Sequence, residues 1–461
     1  MSRVDTAWLR MDSDVNLMLI VGVWLIAPAL GLDELRARVA ERLLAYRRFR
    51  QKAVVDATGA NWVLDADFDL ARHVVAERLP RRRGRSERTA LQALCGELAM
   101  KPLDRAHPLW QFHLVEDYEG GSALVMRIHH SIADGIALIA VTLSITDGGR
   151  APPARAPAAE PEADWLADAV LKPLTEMTVK AIGLYGGGVT KALALLADPP
   201  DTLGLARSGT RIVKDAVALA AMADDAPTRL KGRPSGRKLV AWGEPIPLDA
   251  VKLVGKALGA SVNDVLLACV AGAIGGYLRA AGDEPAGQEI RAMVPVNLRP
   301  LEQAWQLGNR FGLAPLVLPI GIENPIERLY GVRARMNELK DSYQPLLAFA
   351  ILSVTGLFVK PVQDAVLGLF SKKTTAVMTN VPGPAQPLRF CGRTVRQNLF
   401  WVPASGGVGV GVSILSYGGG VQFGLITDAA LCPDPQALID RFEPEFQKLL
   451  VLALMLPWGE G

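Results

Sequence analysis

Four cysteines in 461 residues, far apart at Cys95, Cys269, Cys391 and Cys432, give neither metal-ligand spacing nor a disulfide framework. They read as buried, reduced residues of an intracellular protein. An excess of one charge is also missing. Lys+Arg 50 against Asp+Glu 47 leaves +3, far short of the basic balance of a nucleic-acid binder, so no nucleic-acid partner is expected. The first residues, MSRVDTAWLRMDSD, carry acids and no apolar core near a cleavage site, which argues against a secretory signal. Leu17–Leu32 is apolar but holds Gly22, Pro28 and Gly31, too short and too interrupted to span a bilayer. It reads as a buried strand and turn, after which Leu32-Asp33-Glu34 opens an amphipathic helix through Arg47.

Three other apolar stretches, Ala181–Ala197, Leu346–Val359 and Leu449–Trp458, are short or broken by Gly, Pro or Lys. Core helices account for them; the sharper alternative is contact with a lipid surface. What the chain does have is apolar material. Half the residues are hydrophobic and the mean hydropathy is +0.21, which excludes disorder and collagen-like or coiled-coil architectures. The length predicts two or three domains.

Residues 149–164 (GRAPPARAPAAEPEAD) have linker composition, and a helical pattern follows from Trp165 to about Asp225. The parse is an N-terminal domain over 1–150, a linker and helical crossover over 151–235, and a C-terminal domain over 236–461. Strand-like runs at Ala123–Ile128, Leu239–Trp242, Ile290–Val296 and Val408–Ile414, mixed with helices, make both domains α/β.

Only five histidines occur, and two of them are adjacent. The segment LVMRIHHSIADGIAL (Leu124–Leu138) runs from a β-leaning stretch through His129, His130, Ser131, Ile132, Ala133, Asp134 and Gly135 into an apolar helix. Successive strand side chains face opposite ways, so both rings share one cavity only if the strand has ended. A neutral imidazole is a suitable general base for a hydroxyl proton. Asp134 can hold the turn by accepting backbone hydrogen bonds or by pairing with a cation, and Gly135 permits a close approach. The plain alternative is a pair of core or solvated histidines beside a turn.

HHSIADG matches the HHxxxDG signature of the coenzyme-A-dependent acyltransferase superfamily. The surrounding blocks resemble its bacterial wax ester synthase/diacylglycerol acyltransferase family. They are KPLDRAHPLW (Lys101–Trp110), SVNDVLLA (Ser261–Ala268), RAMVPVNLR (Arg291–Arg299), Gly308-Asn309-Arg310 and TNVPGP (Thr379–Pro384). A sixth, Thr228–Arg237, carries Lys231 where that family has Asn. Met18-Leu19-Ile20 replaces a Met-His pair, and Arg310-Phe311 replaces smaller residues.

The resemblance implies two chloramphenicol-acetyltransferase-like α/β domains with a channel at their interface. It implies acyl-coenzyme A as co-substrate, no permanently bound cofactor and no metal. The acceptor is a long-chain alcohol or diacylglycerol, and direct attack gives wax esters or triacylglycerols without an acyl-enzyme. Carried over, His130 is the base, His129 supports its loop and Asp134 orients the motif, with Arg299 as partner. Asn263 is a candidate oxyanion donor; the alternative is an ordinary helix cap formed by Ser261 and Asp264. The Asn380, Pro382 and Gly383 loop lines the channel. A cytoplasmic location, with peripheral contact to a membrane or lipid inclusion, follows from such substrates. The basic run Arg81–Arg85 is a solvated face, or attracts coenzyme A phosphates or lipid headgroups. A small or polyketide-type alcohol as acceptor, or a non-catalytic lipid-binding role, are the competing readings.

Overall fold

The computed structural model describes residues 1–56, 59–80, 83–149, 222–297, 307–309, 311–340, 368 and 371–456. In chain order the first half holds α1 (Arg3–Arg10), β1 (Leu19–Ala27), α2 (Leu32–Arg38), β2 (Gln51–Asp56), β3 (Gly59–Leu64), α3 (Leu70–His73) and β4 (Val74–Glu77). It continues with α4 (Glu87–Ala99), β5 (Trp110–Tyr118), β6 (Gly121–His129) and α5 (Gly135–Ser144). The second half holds β7 (Lys238–Trp242), β8 (Ile246–Pro247), α6 (Leu248–Ala257), α7 (Val262–Ala280), β9 (Ile290–Asn297), β10 (Phe311–Leu318) and α8 (Pro325–Lys340). After these come β11 (Ala376–Pro382), β12 (Arg389–Phe390), β13 (Arg393–Trp401), β14 (Val410–Tyr417), β15 (Gly420–Asp428), α9 (Pro435–Ile439) and α10 (Phe442–Met455). Most of the 151–235 crossover, with Ala181–Ala197, lies outside the described residues, as do Leu346–Val359, Arg299 and Arg310.

β1 shows why the first apolar run is a strand. Val21, Val23 and Leu25 face one core and Ile20, Trp24 and Ile26 face another, so both faces are covered. The helix that follows is shorter than the pattern suggests, passing into a π-turn at Val39–Leu43 and a 3-10 turn at Arg47–Arg50.

Two mixed sheets organise the chain. The first runs β12-β13-β1-β6-β5-β4, and the second β10-β9-β11-β14-β15-β7, with β8 added on β15. Domain membership therefore departs from the sequence parse: β12 and β13, from the C-terminal half, belong to the first sheet. β13 pairs antiparallel with β1 from Val21↔Trp401 to Ala27↔Thr394. Without it, β1 would present an open edge of unpaired N–H and C=O groups. A shared core also ties the halves together, since Val240 and Trp242 of β7 pack with Val21, Leu91 and Trp401.

α7 is the one described helix long and apolar enough to cross a membrane by length and composition. Its residues from Val265 to Gly275 are all buried, and it forms the centre of the second half's core. Ser261 and Asp264 cap it reciprocally: the Ser261 hydroxyl accepts from Asp264 N–H at 3.1 Å, and Asp264 Oδ2 accepts from Ser261 N–H at 2.9 Å.

Candidate functional site

β6 ends at His129, so the two histidines diverge where pairing stops. His129 pairs across to Leu19, while the His130 N–H leaves the ladder and donates to Met18 O at 2.7 Å. The sequence then turns through Ile132 and Ala133, both fully buried, and Asp134 caps α5 by accepting from Ala137 N–H at 2.9 Å. Asp134 N–H in turn donates to Gly308 O at 3.1 Å, which joins the motif to the Gly308-Asn309 segment.

The rings are held as opposite tautomers. Ser131 N–H donates to His129 Nδ1 at 3.1 Å, so the His129 proton sits on Nε2 and points at Asp12 Oδ1, 3.3 Å away. Asp12 is pulled below the usual carboxylate range; its burial works upward, but the hydrogen bond from His129 and the other bonds outweigh it. For His130 the orienting residue is Asn309. The Asn309 amide donates to Asp5 Oδ1 and to His130 O, each at 2.8 Å, which turns its oxygen toward the ring. His130 Nδ1–H donates to that oxygen at 2.9 Å. The lone pair is thereby left on Nε2, the nitrogen a base needs, and no hydrogen bond occupies it among the described residues.

His130 is 4% exposed and clusters with aromatic neighbours from both halves. Trp8 of α1 stacks on it at 4.1 Å between centroids and 12° between planes, and Phe311 of β10 tilts against it at 5.4 Å. Burial pushes its pKa down to about 4, against the opposing pull of Asp134 and Asn309. The imidazole is therefore neutral at pH 7. Beneath it, Asp5 is raised by burial, with Arg48 3.7 Å away as its countercharge.

The motif contributes a wall residue to each of two cavities. One, of about 440 Å³, has His129, Asp12, Leu19, Leu103, Arg105 and Leu109 among its lining. The other is apolar, about 70 Å³, and is bounded by Gly135, Ile20, Trp24, Leu138, Gly383 and Leu415 among others. A side chain at Gly135 would meet nothing within 4 Å, so this glycine opens onto free space. Gly383 is required for a different reason: a Cβ there would fall 2.5 Å from Ser416 O. Leu19 and Ile20, in the segment that replaces the resembled family's Met-His pair, line the larger and the apolar cavity respectively.

The other expected site residues fall as follows. Asn263 hydrogen-bonds to Asn380, whose Nδ2 donates to Asn263 Oδ1 at 2.6 Å, and its own amide reaches Met336 Sδ at 3.9 Å. Its side chain is thus engaged within the second half, and Ser261 and Asp264 beside it form the helix cap. Pro382 is exposed at the end of β11. Trp110 of the KPLDRAHPLW block is a packing residue: its indole donates to Phe49 O at 2.9 Å and stacks on His73. Lys231, the departure in the sixth block, donates to the Ser371, Lys372 and Thr374 carbonyls and closes that loop. Arg81 and Arg82 lie outside the described residues, Arg83 and Arg85 are exposed, and Arg88 pairs with Glu244.

Asp5, Trp8 and Asp12 carry no sequence signal of their own, because each reaches the motif from a distant segment; Phe311 stood out only as a departure from the resembled pattern. Asn309 was visible as part of a block; its role was not.

The comparisons with known proteins agree over the whole chain. The family model for the wax ester synthase/diacylglycerol acyltransferase catalytic domain matches residues 1–266, and the WS/DGAT C-terminal domain matches residues 307–450. A Mycobacterium tuberculosis protein named "Probable diacylglycerol O-acyltransferase tgs1" is 27% identical, over 98% of this chain and 96% of that one. The solved wax ester synthase/diacylglycerol acyltransferase from Marinobacter aquaeolei is 22% identical and superimposes with a TM-score of 0.67, covering 99% and 100% of the two chains. The starter condensation domain of rhizomide synthetase, solved as a mutant with C8-CoA and Leu-SNAC, is 14% identical with a TM-score of 0.57, over 98% and 94%.

Proposed function

The chain belongs to the wax ester synthase/diacylglycerol acyltransferase family and is an acyltransferase; from that premise we propose how it acts and on what. The donor is acyl-coenzyme A and the acceptor a long-chain alcohol or diacylglycerol. The observation that carries the reading is the His130 environment: a neutral, buried imidazole whose Nδ1 proton is held by Asn309, with no hydrogen bond on Nε2 among the described residues. His130 Nε2 removes the hydroxyl proton as the alcohol oxygen attacks the thioester carbonyl carbon. The tetrahedral intermediate collapses with loss of the coenzyme A thiolate, which takes the proton back from the imidazolium. Ester and free thiol result, and no acyl-enzyme forms. No cofactor takes part.

His129 holds the first segment, through Asp12, against the end of β6, and Asp134 holds the turn. The apolar cavity beside Gly135 suits part of an acyl chain. A lipid acceptor implies work at a lipid surface of the cytoplasm, by peripheral contact. The exposed Val451, Leu454, Met455 and Leu456 at the end of α10, and Val54, Val55, Val63 and Leu64 on the β2–β3 hairpin, support this.

The test is thiol release from palmitoyl-coenzyme A with hexadecanol, dipalmitoylglycerol or a short alcohol. Release with a lipid acceptor, reduced by about 10²–10⁴ in His130→Ala, is expected. Undiminished release in a folded His130→Ala protein refutes the mechanism, and release with the short alcohol alone refutes the lipid acceptor.

A further inference from the structure

The mechanism above needs a donor for the oxygen that becomes negative in the intermediate, and Asn263 is occupied with Asn380 and Met336. A donor without a partner stands elsewhere. Trp8 is 5% exposed, and its indole Nε1–H is buried and finds no hydrogen-bond partner among the described residues. Several buried polar atoms are unpartnered among the described residues, but only this one belongs to a ring in contact with His130. Of the four tryptophans that are almost wholly buried, Trp24 donates to Asn398 and Trp110 to Phe49, while Trp242 and Trp401 pack against each other in the core shared by the two halves.

Packing alone does not account for an indole here. Trp8 sits in a small apolar cluster with Val4, Met11, Met18 and Phe311, where a phenyl ring would fill the stack on His130 without stranding a donor. A buried N–H left unpaired is a standing cost. Such a cost is removed if a ligand supplies the acceptor.

Stacking also limits where that acceptor can be. The near-parallel rings, 4.1 Å apart between centroids, set the indole against one face of the imidazole. An alcohol bound to Nε2 lies in the imidazole plane. A thioester that approaches from a face of that plane would bring its carbonyl oxygen toward the ring stacked on that face. On one side, that ring is Trp8.

We infer that the Trp8 indole N–H is a hydrogen-bond donor to the thioester carbonyl oxygen, and hence to the oxyanion of the intermediate. As the alcohol oxygen bonds to the carbonyl carbon, the C=O π pair moves onto that oxygen and strengthens the bond from Nε1–H. When the pair returns, the C–S bond breaks and the thiolate leaves, with the proton on His130 going to sulfur. Trp8 gains and loses no proton. Its contribution is to the charge that develops, so it acts on kcat more than on binding.

This inference rests on the proposed acyl-transfer reading, and the experiment separates the two. Trp8→Phe keeps an aromatic ring on His130 and removes only the donor; replacement by benzothienylalanine, with sulfur for N–H, keeps the full bicyclic shape. Palmitoyl-coenzyme A labelled with ¹³C at the carbonyl is bound without alcohol, and the thioester C=O stretch is read by difference infrared spectroscopy. A lowered frequency in the parent protein, relaxed in both variants, is expected. In the thiol-release assay both variants lose about 10²–10³ in kcat with little change in KM for the thioester. The same carbonyl frequency in parent and variants, or full kcat in folded variants, overturns the assignment. Absence of thiol release from the parent with every alcohol defeats the acyl-transfer reading, while the infrared shift still decides whether Trp8 donates.

Discussion

Asn309→Ala is the perturbation that separates a positioned base from a merely buried histidine. Three hydrogen bonds disappear: from His130 Nδ1–H at 2.9 Å, and to Asp5 Oδ1 and His130 O at 2.8 Å each. All lie in the interior, so stability falls by about 2–4 kcal/mol, at about 1 kcal/mol for each bond plus the cost of stranded groups. A chain of ordinary stability, about 5–15 kcal/mol, survives this and stays folded. The kinetic loss has its own source. His130 becomes an imidazolium as it takes the proton, and the bond from Nδ1–H to the amide oxygen becomes charge-assisted, worth about 1.5–3 kcal/mol. Losing it slows kcat about 10- to 150-fold. Asn309→Asp is the informative partner. It keeps an acceptor for Nδ1–H but sets a second carboxyl against Asp5, so one of the two takes up a proton. Its activity should exceed that of Asn309→Ala. The acid limb of its pH profile should move toward neutrality, because a charge beside His130 favours the imidazolium. Thiol release across pH 5–9, with circular dichroism to confirm folding, decides the matter. A folded Asn309→Ala protein with kcat within twofold of the parent would refute tautomer control by this residue.

Acid should weaken the fold. Burial holds His130 and His113 down to about 4 from 6.5, so between those values the unfolded chain binds more protons and stability rises with pH. Each group contributes up to about 3 kcal/mol, complete above pH 6.5 and lost on descent toward 4; Asp5 and Asp225, raised by burial, act in the opposite sense and reduce the net loss. A urea midpoint that does not fall between pH 7 and 5 contradicts this. Gly135→Leu directs a side chain into the apolar cavity and should shift preference toward shorter acyl donors; an unchanged ratio of palmitoyl to octanoyl rates removes the cavity from the acyl path. Arg328→Met leaves Glu445 buried beside α7 without its guanidinium, with Lys448 as the remaining cation, and should cost about 3–5 kcal/mol in chemical denaturation.

Much of this protein was legible from local pattern. The HHSIADG string, the strand-like runs of β6, β7 and β9, and the Ser261–Asp264 cap depend on residues within a few positions of one another. The shortness of the apolar run Leu17–Leu32 and its interruption by Gly22, Pro28 and Gly31 likewise pointed to a strand. What the sequence by itself determined is therefore the family, the α/β class and the motif in which the proposed base stands.

Only the tertiary structure decided the rest. Which nitrogen of His130 bears the proton depends on Asn309, 179 positions away, and on Asp5 beyond it. The strand beside β1 comes from residue 393 onward, since an open edge is closed by whichever segment the fold brings there. Trp8 stacks on His130 because α1 packs across the seam of the two halves, a contact between residues 8 and 130 that no local spacing encodes. Burial is the common reason: it lowers His130, isolates the indole donor and makes each distant partner count, and burial belongs to the packed chain rather than to any segment of it.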